Sequence, residues 1–225
     1  MKQTSFLLLA SLFSGFVFSC GNPSAENSKN DSAKNDSVLA EKKEFILEDL
    51  LTIPDEKALI EKFGKEHVNY DTIWGAEGEF VMGSYINKGK DDEVQISWQN
   101  TGTHSGISVV SVHAGYNYDT GKSSYNNHWR SASGVYIGMP VRELEKLNGQ
   151  PFIFSGFDWD YGGGVSFDEG RLSGQHVGVT LGHANDESQL TPAEAEAIIG
   201  DRDIHSNDPA VVKAQPVVVQ INVWR

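Results

Sequence analysis

Two aspartates, Asp158 and Asp160, are the residues whose type and spacing come closest to a catalytic pair. In an extended strand, side chains two positions apart share one face and lie about 7 Å apart. Inverting glycoside hydrolases use two carboxylates at about this separation. The pair therefore predicts, as one alternative, a hydrolase that acts on glycans. Such pairs normally come from two elements that face each other across a cleft, and any solvated strand face also produces this spacing.

The same two aspartates suggest a cation site, because carboxylate oxygens at alternating positions suit calcium. The segment from Asp158 to Gly162 begins as a calcium loop does, but it has no third acidic residue at the next alternate position and no downstream glutamate. A calcium-stabilised binding domain is therefore a second alternative. The seven histidines show no spacing typical of metal ligands, so the main interpretation includes no metal and no cofactor.

Aromatic side chains are concentrated in a long loop at residues 114–132, which is otherwise rich in Asn, Ser and Gly. They are Tyr116, Tyr118, Tyr125 and Trp129. Rigid rings among small polar residues favour the recognition of a protein or a glycan. We therefore expect a non-catalytic binding or scaffolding module, with Asp158 and Asp160 as further candidate binding residues. The alternative for the loop is that Trp129 and one tyrosine only cover the edge of the core.

The candidate aspartates belong to a segment, residues 133–164, that reads as strand, helix and strand. Val141, Leu144 and Leu147 recur on one side of the predicted helix, and charged residues occupy the other. Asn148 and Gly149 end the helix, because both tolerate the left-handed conformation that closes one. A short strand at residues 135–137 is expected before it.

An aromatic strand is predicted after this helix. Phe157, Trp159 and Tyr161 alternate with Asp158 and Asp160. This alternation predicts three buried rings and two solvated carboxylates. The phase of the pattern slips at residue 156, a glycine, where we expect a bulge.

Helices followed by antiparallel strands occur twice along the chain, at residues 45–113 and 133–225. A meander is expected from strands at residues 78–86, 94–98 and 107–113. Later, Asp168 to Arg171 predicts a hairpin turn that joins residues 165–167 to a strand at 177–181. A capping box at Thr191 to Glu194 predicts another helix, and residues 216–224 predict a central strand with Val217, Val219, Ile221 and Val223 on one face.

These elements predict an α+β fold with an antiparallel sheet and short helices on one face, and the repeated pattern allows two tandem helix-plus-meander units. The spacing of Gly138, Leu144, Gly149 and Pro151 resembles the repeat of β-lactamase-inhibitor-like and outer-membrane-assembly lipoprotein folds. The whole segment GMPVRELEKLNGQPFIFSGFDWDYGG is more closely similar to a segment of uncharacterised Bacteroidetes lipoproteins. The resemblance covers about a third of the chain. It implies a helical hairpin that leads into a curved antiparallel sheet, and it carries over no catalytic residue.

The first nineteen residues read as an export signal, with Lys2 before an apolar run that ends at Ser19. Cys20, the only cysteine, follows directly and resembles the lipobox cysteine of bacterial lipoproteins. The resemblance implies cleavage before Cys20 and lipidation of its sulfur and amino group. The alternative is an ordinary signal peptide with an incidental cysteine. Residues 20–44 are polar and predict a disordered tether, so residues 45–225 remain as a single folded domain.

The chain carries a formal net charge of −13, which becomes −14 when Lys2 leaves with the signal. An acidic surface disfavours binding to nucleic acid. We therefore expect attachment to a membrane through a lipid anchor, most simply at the outer membrane on its periplasmic or surface side. The expected ligand is an envelope protein or glycan.

Overall fold

The computed structural model describes residues 45–184 and 189–225, and those from 45 onward lie in one compact unit. The strands are β1 (Phe45–Ile46), β2 (Val68–Trp74), β3 (Phe80–Ile86), β4 (Val94–Asn100), β5 (Ser105–His113), β6 (Gly115–Asn117), β7 (Lys122–Ser124), β8 (Trp129–Arg130), β9 (Ile153–Ser155), β10 (Val165–Ser166), β11 (Val177–Gly182), β12 (Asp203–His205) and β13 (Val217–Trp224). The helices are α1 (Glu56–Phe63), α2 (Val141–Asn148), α3 (Pro192–Ala197) and α4 (Pro209–Ala214), with short 3₁₀ turns at Leu47–Thr52, Lys65–His67 and Ala76–Gly78.

A six-stranded antiparallel sheet in the order β11-β13-β5-β4-β3-β2 forms the centre of the fold. Its strands bury apolar side chains against the first 3₁₀ turn and the helices, and Leu47, Leu59 and Leu144 are fully buried. The α+β fold class is therefore confirmed. The meander β3-β4-β5 is present as predicted, and β2 extends it by one strand that the sequence analysis did not identify.

The two halves of the chain contribute differently to this sheet. The first half supplies the meander, whereas the strands of the second half divide between two sheets. β11 and β13 join the large sheet, while β9 pairs with β10 and β12 in a separate three-stranded sheet. Because β13 lies between β11 and β5, the last strand is central, as predicted.

Helix boundaries follow local sequence signals closely. α2 ends at Gly149, which adopts the left-handed conformation with φ 87°, and the capping box at Thr191 and Glu194 is formed at the start of α3. The cap of α1 is Asp55, whose carboxylate accepts a hydrogen bond of 2.8 Å from the amide of Ala58. Such capping depends on residues within one turn, which is why the sequence predicts the end of α2 and the start of α3.

The prediction of an aromatic strand at residues 157–161 is wrong. Phe157 makes one isolated bridge, and a bend and turn follow through residue 163. Asp158 lies in the left-handed region with φ 65°, so it does not share a strand face with Asp160. The chain turns here because Gly163 packs against β11, where a Cβ atom would overlap the carbonyl oxygen of Leu181.

The prediction that Phe157, Trp159 and Tyr161 are all buried is also wrong. Phe157 is buried, Trp159 is half-buried and Tyr161 is 52% exposed. The expected bulge at Gly156 is also absent, since the pairing of β9 with β12 shows no register shift. Gly156 lies beyond the end of β9, where a Cβ atom would be 2.5 Å from the carbonyl oxygen of Gly200. Close backbone approach therefore explains this glycine.

Three smaller predictions also differ from the structure. β10 pairs with β9, so the predicted hairpin at residues 168–171 does not form. Residues 135–137 make only one bridge, between Tyr136 and Arg130. In β13 the buried residues are Val218, Ile221 and Val223, because a register shift against β11 reverses the alternation after Val218.

Candidate binding site

The long aromatic loop at residues 114–132 contains a hairpin of its own, formed by β6 and β7. The side chain of Asn117 accepts hydrogen bonds of 3.0 Å from the amides of Asp119 and Thr120, and Gly121 takes a positive φ of 66°. These are the local interactions that asparagine and glycine supply in tight turns. The turn presents Tyr118 at the tip of the hairpin.

Two cavities flank this hairpin and share the residues at its base, from His113 to Tyr116. The larger hairpin cavity, of about 520 Å³, lies between the hairpin and the adjoining ends of β11 and β13. The smaller hairpin cavity, of about 430 Å³, lies towards the loop that joins β3 to β4. The hairpin therefore forms a wall of both cavities.

Polar side chains line the larger hairpin cavity, and small residues keep it open. The polar residues are His113, Tyr116, Ser123, His183 and Gln220. Ala114, Gly115, Gly182 and Ala184 supply little side-chain volume at the same cavity. Sites that bind small polar molecules commonly combine an aromatic ring with a few placed polar groups.

His113 and Gln220 face each other in neighbouring strands, since Gln220 of β13 is paired in register with His113 of β5. Burial lowers the pKa of His113 below its ordinary value of 6.5, although the negative charge of Glu93 acts in the opposite direction. The imidazole of His113 is therefore neutral at pH 7. A neutral ring offers one donor and one acceptor.

The smaller hairpin cavity contains Glu93, Lys90 and Ser124. The hydroxyl of Ser124 is buried and makes no hydrogen bond within the described part of the chain. A buried hydroxyl without a partner is uncommon and costs free energy. Ser124 therefore adds, beside this cavity, a buried hydroxyl without a hydrogen-bond partner among the described residues.

The structure separates the four aromatic residues predicted to bind. Tyr116 and Tyr118 are 55% and 90% exposed, and their rings meet edge to face at 5.0 Å. Tyr125 is half-buried and packs against the core, while Trp129 is only 6% exposed and contacts Phe45. Only Tyr116 and Tyr118 are therefore placed to contact a ligand.

Asp158 lies close to the larger hairpin cavity because it contacts His183. Its carboxylate is 2.9 Å from Nε2 of His183, and the ring of Phe157 lies 4.5 Å from that imidazole. Asp160 is exposed in the following turn. Asp158 thus adjoins the same cavity as Tyr116, whereas the two aspartates do not form the predicted strand-face pair.

The residues that sequence reasoning missed at this cavity are His113, His183 and Gln220. His113 and Gln220 belong to β5 and β13, and His183 directly follows β11, so the three are distant in the chain and close only through the sheet order. The available signal was a polar residue in or next to a predicted strand, but it is too common to select these three.

Within residues 45–184 and 189–225, no group of three His, Cys, Asp or Glu side chains could hold a metal ion. The described residues around Asp158 and Asp160 therefore include no such cluster for calcium. No helix in these ranges is long and apolar enough to span a membrane. Cys20, the predicted lipidation site, lies outside the described residues.

Comparison of the chain with known protein families, curated proteins and solved structures finds no significant match.

Proposed function

We propose that this chain is a lipid-anchored cell-envelope protein whose folded domain binds a glycan at the β6–β7 hairpin without catalysis. The observation that carries the proposal is the polar cavity of about 520 Å³ beside two exposed tyrosines. Tyr116 and Tyr118 offer rings on which the apolar face of a sugar can pack. The anchor is supported by the export signal and by Cys20 directly after Ser19.

The polar groups of the cavity match the hydroxyl groups of a sugar. His113 and Gln220 lie side by side on the wall and Ser123 lies on the hairpin, and each carries a hydrogen-bond donor or acceptor. A sugar hydroxyl donates one hydrogen bond and accepts others, so it can pair with each of these groups. The net charge of −13 disfavours an anionic glycan, and we therefore propose a neutral one.

Binding by purified residues 45–225 to a panel of neutral oligosaccharides, measured by calorimetry, tests the proposal. Tyr116→Ala and Tyr118→Ala should each weaken binding about fivefold or more, since truncating an aromatic contact residue typically costs more than about 1 kcal/mol. Phe80→Ala is the matched control, because Phe80 is 60% exposed and belongs to a different hairpin. Equal affinity in all variants, or no binding to any glycan, would refute glycan binding at the hairpin.

A second candidate is a glycan hydrolase that uses Asp158 and Asp160. It is favoured by the contact of 2.9 Å between Asp158 and His183, since this pair adjoins the larger hairpin cavity. Release of reducing ends from the same oligosaccharides separates the two candidates. If the wild type turns over a glycan and Asp158→Asn or Asp160→Asn does not, the domain is a hydrolase and not a non-catalytic binding module.

A further inference from the structure

A second exposed feature lies on the other side of the meander, where β2 and β3 remain paired with each other but separate from β4. β3 pairs with β2 from Phe80 to Ile86, but with β4 only from Gly83 to Ile86. Residues 72–82 therefore form a two-stranded projection, which we call the apolar arm. The arm separates from β4 at Gly83, where a Cβ atom would lie 2.5 Å from the carbonyl oxygen of Ile96.

Large apolar side chains of the arm are exposed to solvent. Trp74 is 68% exposed, Phe80 60%, Val81 50% and Met82 37%. The rings of Trp74 and Phe80 lie 5.5 Å apart across the two strands, so they form one continuous surface. Contiguous apolar patches of this kind mark sites of interaction with other molecules.

The loop of the arm carries negative charge. Residues 72–82 include Glu77 and Glu79 and no lysine or arginine. The charge of Glu77 is the largest cause that raises the pKa of Tyr161 in the neighbouring turn, and desolvation and the charges of Glu79 and Asp160 add to it. The apolar patch thus adjoins an acidic rim.

The main-chain amide and carbonyl groups of Thr72, in the arm, already form hydrogen bonds with side chains. The amide of Thr72 donates a hydrogen bond of 2.7 Å to the carboxylate of Asp71, and the carbonyl oxygen of Thr72 accepts one of 2.6 Å from the hydroxyl of Tyr85. Addition of a further strand to β2 would have to break both bonds. Strand addition at Thr72 is therefore disfavoured, which leaves the exposed side chains of the arm as its main contact surface.

We propose that the apolar arm is a docking surface for a partner protein whose contact surface combines apolar side chains with lysine or arginine. The apolar residues of such a partner cover Trp74 and Phe80, and its cations pair with Glu77 and Glu79. A second copy of this chain fits less well, since it would bring four like charges together. An anionic lipid surface is repelled for the same reason.

The test uses residues 45–225, which contain the buried core, and two labelled amphipathic helical peptides of about eighteen residues, five turns of helix. One peptide contains Leu and Lys, and the other has Glu in place of every Lys. We expect fluorescence anisotropy to show binding of the Lys peptide and at least tenfold weaker binding of the Glu peptide. Trp74→Ser and Phe80→Ser should each weaken the Lys peptide at least fivefold, whereas Tyr118→Ser on the β6–β7 hairpin should not.

Reversing the charges of the arm separates recognition by the arm from general attraction of the Lys peptide to the acidic surface. In the double variant Glu77→Lys and Glu79→Lys the preference should reverse in favour of the Glu peptide. The matched double variant Glu196→Lys and Asp201→Lys, at exposed sites elsewhere, should keep the original preference.

Three results would overturn the proposal. The first is an affinity for the Lys peptide that is the same in the wild type and in the arm variants. The second is self-association of the domain, measured by sedimentation, that is lost in Trp74→Ser. The third is binding to phosphatidylglycerol vesicles that is lost in the arm variants. Because Tyr116 and Tyr118 are not part of the arm, each of these results leaves glycan binding at the hairpin untouched.

Discussion

Asn148 shows how a single polar residue can hold separate segments of the core together. It is fully buried as the last residue of α2. Its amide nitrogen donates hydrogen bonds of 3.0 and 3.3 Å to the carbonyl oxygens of Gln150 and Glu169. Its side-chain oxygen accepts one of 3.1 Å from the amide of Leu172. The side chain therefore joins the end of α2 to the loop before β11.

Replacing Asn148 with Leu should destabilise the domain by about 3 kcal/mol, because it leaves buried main-chain groups without partners. The two methyl groups that replace the amide oxygen and nitrogen are bulkier and would also crowd Gly170, which already lies against this side chain. Circular dichroism should show a melting temperature lower by about 6 to 12 °C. Lys146→Ala, an exposed change in the same helix, should stay within about 0.5 kcal/mol. Equal melting of both variants would contradict this role of Asn148.

Asn148 also marks the limit of prediction at the scale of residues. The sequence identified it as a helix stop, which is a local property, and the structure confirms that α2 ends there. Its contacts with Glu169 and Leu172 depend on a loop more than twenty residues away, and no local pattern encodes them. His113 and Gln220 were missed for the same reason, since only the sheet order makes them neighbours.

At the scale of elements, the turn after β9 shows why strict alternation can mislead. Phe157, Trp159 and Tyr161 have the period of a strand, but three glycines follow directly at residues 162–164. Gly163 approaches the edge of β11 so closely that its carbonyl oxygen accepts a hydrogen bond of 2.8 Å from the amide of Leu181. This tertiary contact overrides the local preference of the aromatic residues.

Gly163→Ala tests that contact. Gly163 has φ 78°, and a methyl group would overlap the carbonyl oxygen of Leu181, so strain and steric overlap should together cost about 2 to 5 kcal/mol. The urea midpoint should fall accordingly. Gly174→Ala is the matched control, because Gly174 has φ 70° with no atom within 4 Å, and it should cost only about 1 to 2 kcal/mol. A midpoint for Gly163→Ala no lower than that of the control would show that the turn moves freely.

At the scale of the molecule, both halves of the chain build one sheet. β13, at the C-terminal end of the described chain, pairs with β5 from the first half. The predicted central position of this strand followed from its apolar residues on both faces, and the structure confirms it. Which strands join the large sheet and which form the small one depends on packing between distant segments, so two similar helix-plus-strand patterns predicted more symmetry than the structure contains.

The two proposed surfaces lie on separate hairpins, one that follows the large sheet and one that belongs to it. The β6–β7 hairpin follows β5 at one end, and the apolar arm departs from β3 at the other side of the meander. If both proposals hold, such a domain would hold a glycan and contact a protein at the same time. Both events would take place near the membrane if the domain is anchored there.

The anchor is tested by replacing Cys20 with Ser. A single acyl chain gives only marginal membrane binding, whereas several chains, each contributing about 0.8 kcal/mol per buried CH₂, hold a protein stably. The proposed lipidation of both the sulfur and the amino group of Cys20 would supply such an anchor. Wild-type cells should incorporate labelled fatty acid into the protein and retain it in the membrane fraction, and Cys20→Ser should abolish both.

Ser28→Ala, a control a few residues further along the polar segment, should change neither the labelling nor the fractionation, because its hydroxyl takes no part in the anchor. A wild-type protein that is unlabelled and fractionates with the soluble proteins would show that Cys20 is not lipidated. The folded domain would then meet its ligands free in solution.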